Sequence, residues 1–435
     1  MTREQVLLVH PGIYDEGNPL AFPPWGAITI GHAVRAAGHD ARVLDLNGAD
    51  PAAHLDAALA AQRPTVVGVT AKQGVAARRF RAVVDHLARV APDIPVVAGG
   101  PLVSTFPDPR ALIWTGVHTL VLGDGEQAMV SWLARRPRPG GLVHGAEPPT
   151  LDDVGLPSWW PGLADYVHPA SSWPNMAVPG IHVASARGCT RRCTFCYLNA
   201  QYPNARFRYV SAGKLHDDLV ELNAVTGARG FYFVDDCFID ARQRRVRDFC
   251  ARAITHGGGF RFGCDVQLSD LDRYPDLLAL MHRAGFRALY VGIESASART
   301  RTRLAKGRLR GEITDVLNRA IDLGFVLRAS IGIGWPGEDA ADARATLDLI
   351  DAVPRLAFDA FRYYPLPHTP LGELSHWARA RNRMSPVEVS ATALQDYSDH
   401  NDNHSAIPTA DYEALWTQLR HREDERLAAY FATER

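Results

Sequence analysis

Short apolar runs alternate with amphipathic stretches along most of the chain, in two blocks. In the first block VLLVHP (6–11), ARVLDLN (41–47), TVVGVTA (65–71), PVVAGG (95–100) and TLVLGDG (119–125) are apolar on both faces, as buried parallel strands are. Between them, AITIGHAVRAAG, PAAHLDAALAA and GVAARRFRAVVDHLARV repeat apolar residues at the spacing of amphipathic helices, and a shorter stretch follows near Arg110. Strand–helix units of this kind predict an α/β fold over residues 1–135, a doubly wound parallel sheet with ligands at the carboxyl ends of its strands. The candidate loops are His10-Pro11-Gly12, Thr70-Ala71-Lys72, Gly99-Gly100-Pro101 and Gly123-Asp124-Gly125-Glu126.

Residues 136–180 break the alternation. RPRPGGLVHGAEPPT, LPSWWPG and SSWPNMAVPG are rich in Pro, Gly and Trp, and predict a connector that docks on its neighbours through its tryptophans. The second block starts at Ile181. Six runs read as strands: 181–186, 230–236, 260–267, 288–295, 327–334 and 358–365. Helical stretches separate them, such as SAGKLHDDLVELNAV, which opens on Ser211 as an N-cap. This predicts a partial (β/α)6 barrel over residues 181–371, with functional groups at strand carboxyl ends. Residues 372–435 form a short helical, polar C-terminal region. Its ALQDYSDHNDNH (393–404) reads as a solvated loop or a lid over a polar substrate.

Composition narrows the partners. The chain has 435 residues, is 46% hydrophobic, and balances 47 Lys+Arg against 48 Asp+Glu for a net charge of −1. Nothing in that balance selects nucleic acid or an anionic membrane. No apolar run is long enough to span a bilayer, and MTREQVLLVHPG lacks a cleavable signal pattern. A soluble cytoplasmic protein is the expectation, and its small size leaves little room for a peptide-recognition domain, which favours a small-molecule substrate.

Six cysteines make no disulfide framework. Three of them, Cys189, Cys193 and Cys196, lie in SARGCTRRCTFCYLN just after the first strand of the second block, with C-x3-C-x2-C spacing. A structural zinc site would want a second pair at a distance, and Cys237, Cys250 and Cys264 are scattered singly. Each of those reads as a small buried hydrophobe. Iron–sulfur ligands come in short runs, and a [4Fe–4S] cube with three thiolates leaves one iron open for chemistry. Arg191 and Arg192 are expected on the outer side of the loop.

C-x3-C-x-aromatic-C after the first strand of a partial barrel resembles the signature of the radical S-adenosylmethionine (SAM) superfamily. Phe195 is the aromatic and Tyr197 follows. The resemblance implies a [4Fe–4S] cluster on Cys189, Cys193 and Cys196, whose open iron chelates SAM, and an external electron donor of the flavodoxin or ferredoxin kind. It implies that FVDDCF offers Asp235 and Asp236 to the SAM ammonium, with a helix cap as the other reading of Asp236. VGIES offers Glu294 and Ser295 to the ribose, unless Glu294 pairs with a nearby cation. IGIGWPGE brings Gly334 past the adenine. In FRYYPLPHTPLGE, His368 stands where the family more usually has Gly, as an acid–base residue or a turn histidine.

The first block resembles the cobalamin-binding domain of one large radical SAM class, through FPPWGAITIGHAVRAAGHDARVLD, VVAGGPLVSTFPD and LVLGDGEQA. It implies cobalamin, with Thr70, Gly99, Gly100 and Gly123 at the nucleotide-tail site. Leu102 replaces a usual His, and no D-x-H-x-x-G motif offers a cobalt ligand, so His10 and His118 read as structural. The implied reaction is hydrogen abstraction by a 5′-deoxyadenosyl radical followed by C-methylation in natural-product biosynthesis. Phe195, Trp335, Tyr363 and Tyr364 would wall off the radical. The alternative keeps the radical with a degenerate first domain: dehydration, deoxygenation, epimerisation or cyclisation of a sugar or aminoglycoside. There Cys237 or Cys264 would donate hydrogen, with His368 and Tyr363 as further candidates.

Overall fold

The computed structural model describes residues 3–12, 21–72, 75–105, 109–110, 116–135, 137–169, 177–198, 207–257, 259–366, 369–374 and 403–432. The first sheet holds six parallel strands: β1 (Gln5–His10), β2 (Asp40–Asp45), β3 (Val66–Thr70), β4 (Val96–Gly99), β5 (Thr119–Leu122) and β6 (Gly141–His144). Their spatial order is β2-β1-β3-β4-β5-β6. The order reverses between β1 and β3, the place where such sheets take ligands. β1 explains the apolar runs. Its Leu7 and Val9 join one core with Leu55, Phe80 and Val84, while Val6 and Leu8 join another with Ala27, Val34 and Trp132. Helices cover both faces, so the strand needs no polar side. Burying each such side chain contributes roughly 1.5–3 kcal/mol.

β6 comes from the stretch expected to be connector. It pairs with β5 from Thr119 and Gly141 to Leu122 and His144, so the sheet runs past residue 135. The rest of that stretch docks. Leu156 and Leu163 are buried in the core of the second domain. The Trp159 indole donates to the Ile28 carbonyl at 3.0 Å, and beside this stretch the Trp25 indole of the first domain donates to the His182 carbonyl of β7 (Gly180–Val183) at 2.9 Å. Gly31 makes room, because a Cβ there would lie 2.5 Å from the Trp159 ring.

The second sheet contains β7 (Gly180–Val183), β10 (Gly230–Phe233), β11 (Arg261–Gln267), β12 (Phe286–Glu294), β13 (Val326–Ile333) and β14 (Ala357–Arg362). They run parallel as a curled half-barrel in the order β14-β13-β12-β11-β10-β7. Two short strands, β8 (Ala186–Arg187) and β9 (Arg208–Tyr209), pair antiparallel beyond its mouth. Phenylalanines fill the core behind the strands: Phe233 stacks on Phe238 at 4.5 Å, and Phe249 meets Phe262 edge-on at 5.2 Å. The C-terminal helix Thr409–Ala432 lies against β14. Its Glu423 accepts the Ala360 N–H at 2.8 Å, which satisfies an edge strand that would otherwise invite another chain. The polar run at 393–404 lies mostly outside the described residues, as does His368.

Candidate functional site

The cysteine loop leaves β8 through Gly188, whose φ of +80° suits glycine. Its entry is held from within the barrel. Asp235 accepts the N–H groups of Ser185 at 2.5 Å and Ala186 at 2.8 Å and the Ser185 hydroxyl at 2.6 Å. Arg245 donates to the same hydroxyl at 2.5 Å. Further along, Thr194 donates its hydroxyl to the Arg303 carbonyl at 2.8 Å and its N–H to the Leu304 carbonyl at 3.2 Å. Cys193 is buried, Cys189 and Cys196 are half-buried, and none of the six cysteines is in a disulfide. Burial pushes the Cys196 thiol up to about 12 and raises Cys193. Thiols so placed become thiolates when cations supply the charge, which fits iron ligation. Among the described residues, no three His, Cys, Asp or Glu side chains converge on a point for one metal ion. Three thiolates on a [4Fe–4S] cube each hold a different iron, so no convergence is required.

A buried cation lies beside the loop. Lys306 donates to Glu294 at 2.9 Å and to Gln267 at 2.8 Å, and Ser330 donates to the other Glu294 oxygen at 2.7 Å. Its charge is felt at Cys193. Glu294 ends β12 at φ +65°, a conformation that costs a non-glycine residue of order 1–3 kcal/mol. Asp236 takes a hydrogen bond from Tyr197 at 3.4 Å, and burial raises its pKa to about 7. Phe195 packs on Trp335 at 5.0 Å, and Trp335 on Tyr363 at 5.2 Å, in a cluster closed by Leu304 and Leu371. That aromatic wall shields one flank of the loop.

The second feature is a cavity of about 490 Å³ between the two domains. Thr70, Gly99, Gly100 and Gly123 all line it, with Leu8, Ile30, Val97 and Met129 as apolar walls. Ala184, Ala186, Arg187 and Val234 bound it from the barrel side. Gly100 sits at φ +108°, and a Cβ there would meet the Ala71 carbonyl at 2.7 Å. His10, also lining the cavity, is held through Nδ1 by Asp45 at 2.7 Å, and its buried Nε2 has no hydrogen-bond partner. Lys72 lies over the Phe22 ring at 4.7 Å, and burial lowers its pKa to about 8. An apolar, glycine-lined space with a few polar corners fits a large flat ligand with a polar rim.

Several expected site residues are engaged in contacts within the protein, some of them with the loop itself. Asp235 is 1% exposed and spends its oxygens on Ser185 and Ala186, so it supports the loop. Ser295 is buried, accepts the Ser297 N–H at 3.2 Å and contacts the Thr346 hydroxyl. Cys264 is in the apolar core behind β11. Cys237 is buried against Thr190 and Cys189. At Gly334 (φ +89°), the group a Cβ would meet is the Tyr412 hydroxyl, at 2.9 Å. Tyr363 is buried in the aromatic wall and its hydroxyl is unpartnered. Arg191 turns in to pair with Asp270, while Arg192 stays exposed. His118 is exposed and bonds the Thr119 hydroxyl.

Lys306, Gln267 and Asp265 were not singled out from the sequence. Asp265 accepts the Tyr232 hydroxyl at 2.7 Å, and burial lifts its pKa to about 7. One signal was available. Only three of the 47 cations are lysines, Lys72, Lys214 and Lys306, and two of these stand at the two sites. A compact ammonium fits where a planar guanidinium would not.

Comparisons with known proteins agree with this geometry. Residues 19–133 match the B12 binding domain, and residues 183–350 match the radical SAM superfamily. An uncharacterized methyltransferase of Pyrococcus horikoshii is 25% identical over 75% of this chain and 72% of its own length. The anaerobic magnesium-protoporphyrin IX monomethyl ester cyclase of Rubrivivax gelatinosus is 27% identical, covering 84% of this chain and 69% of the relative. Among solved structures, the fold is shared with the radical SAM methyltransferase TsrM of Kitasatospora setae, bound to cobalamin and a [4Fe–4S] cluster. The TM-score is 0.65 at 20% identity, over 85% of this chain and 74% of that one. The cobalamin-dependent SAM radical enzyme OxsB, with aqua-cobalamin and SAM bound, gives 0.64 at 15% identity, over 97% and 62%.

Proposed function

From a chain that belongs to the radical SAM superfamily and carries a B12-binding domain ahead of its barrel, we propose a cobalamin-dependent radical SAM methyltransferase. Its substrate is a small metabolite of natural-product biosynthesis, methylated at an unactivated carbon. The observation that carries this reading is the cavity itself. It is lined by the strand ends of the first sheet and by Ala186 and Arg187, which lead directly into the cysteine loop. When bound, a [4Fe–4S] cluster with SAM supplies a 5′-deoxyadenosyl radical, and a corrinoid supplies the methyl group.

The chain's own residues do the rest. Cys189, Cys193 and Cys196 would hold the cluster, and three thiolates would leave one iron open to SAM. Lys306 offsets the negative charge gathered by the thiolates, and Glu294 and Gln267 fix its ammonium. Asp236 and Tyr197 offer polar contacts beside Cys196. Phe195, Trp335 and Tyr363 exclude water from one flank, as a reactive radical requires. Electrons come from an external flavodoxin- or ferredoxin-like donor. Among the described residues no helix is long and apolar enough to cross a membrane.

The test is anaerobic reconstitution with iron, sulfide and hydroxocobalamin, followed by gel filtration. Retained corrinoid, and reductive SAM cleavage that needs the three cysteines, are expected. Cleavage without retained corrinoid would replace methyl transfer by a cobalamin-independent radical reaction. Cleavage unaffected by loss of all three cysteines would end the proposal.

A further inference from the structure

The entry to the cysteine loop is gripped from two sides, and the second grip comes from the other domain. Arg187, two residues before Cys189, donates to both oxygens of Glu126, at 3.0 and 2.5 Å, and approaches Asp124 at 3.1 Å. Its strand neighbour Arg208 donates to both oxygens of Asp124. The Thr29 hydroxyl completes Glu126 at 2.7 Å. Asp124, Glu126 and Arg208 are buried, and Arg187 is 21% exposed along its side chain. Asp124, Gly125, Glu126 and Arg187 also line the interdomain cavity.

Neither side has room to absorb movement. On the barrel side, Asp235 and Arg245 fix Ser185 and Ala186. On the other side the loop from Gly123 to Glu126 is backed by Gly145, where a Cβ would lie 1.9 Å from the Asp124 carbonyl oxygen. A displacement of Arg187 therefore finds its freedom forward, through Gly188 to Cys189. Bidentate Arg–carboxylate pairs out of water resist such displacement strongly.

We propose that the Arg187–Glu126 pair, backed by Arg208–Asp124, couples occupancy of the interdomain cavity to the cysteine loop. Arg187 and Glu126 are positioning residues, which set where the two cofactor sites stand relative to each other. The coupling rests on the corrinoid reading above and is reciprocal: a filled cluster site tightens the cavity, and a filled cavity favours the cluster-bound loop.

The experiment compares hydroxocobalamin Kd for the full-length protein with its cluster reconstituted and for the same protein stripped of iron. In the wild type the ratio of the two values is expected at about five-fold or more, the lower range of such couplings. In Glu126→Gln, and independently in Arg187→Lys, it falls to near one. Simple loss of stability weakens both values together and leaves the ratio in place. A wild-type ratio within two-fold, or a variant that keeps the wild-type ratio, overturns the coupling and leaves the corrinoid reading standing. No corrinoid binding in either form removes that reading, and the coupling with it.

Discussion

The two parallel sheets end in opposite ways. In the first, the strand ends and the loops after them carry Thr70, Gly99, Gly100 and Gly123, and the space beyond stays open as a cavity of about 490 Å³. In the half-barrel the corresponding positions carry Asp235, Gln267 and Glu294, and their side chains bridge to Ser185 and Lys306. One architecture thus yields two kinds of site, and the residue at the strand end decides which. Glycine leaves room for a large, mostly apolar ligand. Carboxylate and amide build a charged cradle that ties the strand ends to the entry of the cysteine loop and to a buried ammonium. The largest expected effect tests the cradle. Cys193→Ala should abolish the cluster chromophore and lower SAM cleavage by at least ~10³-fold, since no uncatalysed route replaces it. The first sheet should still fold, as judged by its helical circular dichroism. A variant with wild-type cleavage would mean that the loop is not the cluster site.

Next comes the charge inside the cradle. Lys306 and Glu294 are 3% and 6% exposed along their side chains. Breaking a buried pair by removing one partner costs about 3–5 kcal/mol, mostly for the charge left behind. Lys306→Met should therefore lower the unfolding free energy measured by urea denaturation by that amount, and adding Glu294→Gln should restore most of it. If Lys306→Met loses under ~1 kcal/mol, water reaches the pair and the contrast between the two sheets narrows.

How much of this was legible follows the strength of local signals. The strands of both sheets showed as apolar runs because both faces are covered, and the cysteine loop showed by its spacing. β6 did not show: three half-exposed residues and an exposed one, at a sheet edge after PRPG, carry almost no periodicity. Asp235 and Asp236 could not be told apart, because which neighbour turns inward depends on where β10 stops. It stops at Phe233, which turns Asp235 to Ser185 and brings Asp236 to Tyr197. Lys306 lies twelve residues beyond Glu294, in no periodic relation to it, so only the fold brings the two together. The same holds for Arg187 and Glu126, sixty-one residues apart in different domains.

That interdomain pair gives a pH signature. Its folded Glu126 carboxyl sits at about 2 against an ordinary 4.5, because the Arg187 guanidinium and the Thr29 hydroxyl outweigh its burial. A depressed acid contributes stability above its unfolded value and loses it as pH falls through the folded one. At about 1.4 kcal/mol per pH unit, the gap is worth about 3 kcal/mol at neutral pH. Unfolding free energy should fall between pH 4.5 and 2 in the wild type, and Glu126→Gln should flatten this part of the curve. Equal slopes in the two proteins would show that the pair is open to solvent.

The smallest effect asks whether glycine at the cavity is there for space or for backbone freedom. Gly100 and Gly141 both have positive φ, +108° and +92°. Each carries a strain penalty of order 1–3 kcal/mol when given a side chain. They differ in surroundings: a Cβ on Gly100 would lie 2.7 Å from the Ala71 carbonyl, while on Gly141 it would meet nothing within 4 Å. Gly141→Ala should therefore cost only the backbone term and leave hydroxocobalamin retention unchanged. Gly100→Ala should cost about 1 kcal/mol more and displace the Ala71 strand end into the cavity, lowering retention. If both variants lose the same stability and keep the same retention, the glycine at the strand end serves backbone geometry alone, and openness of the first sheet must come from its apolar walls.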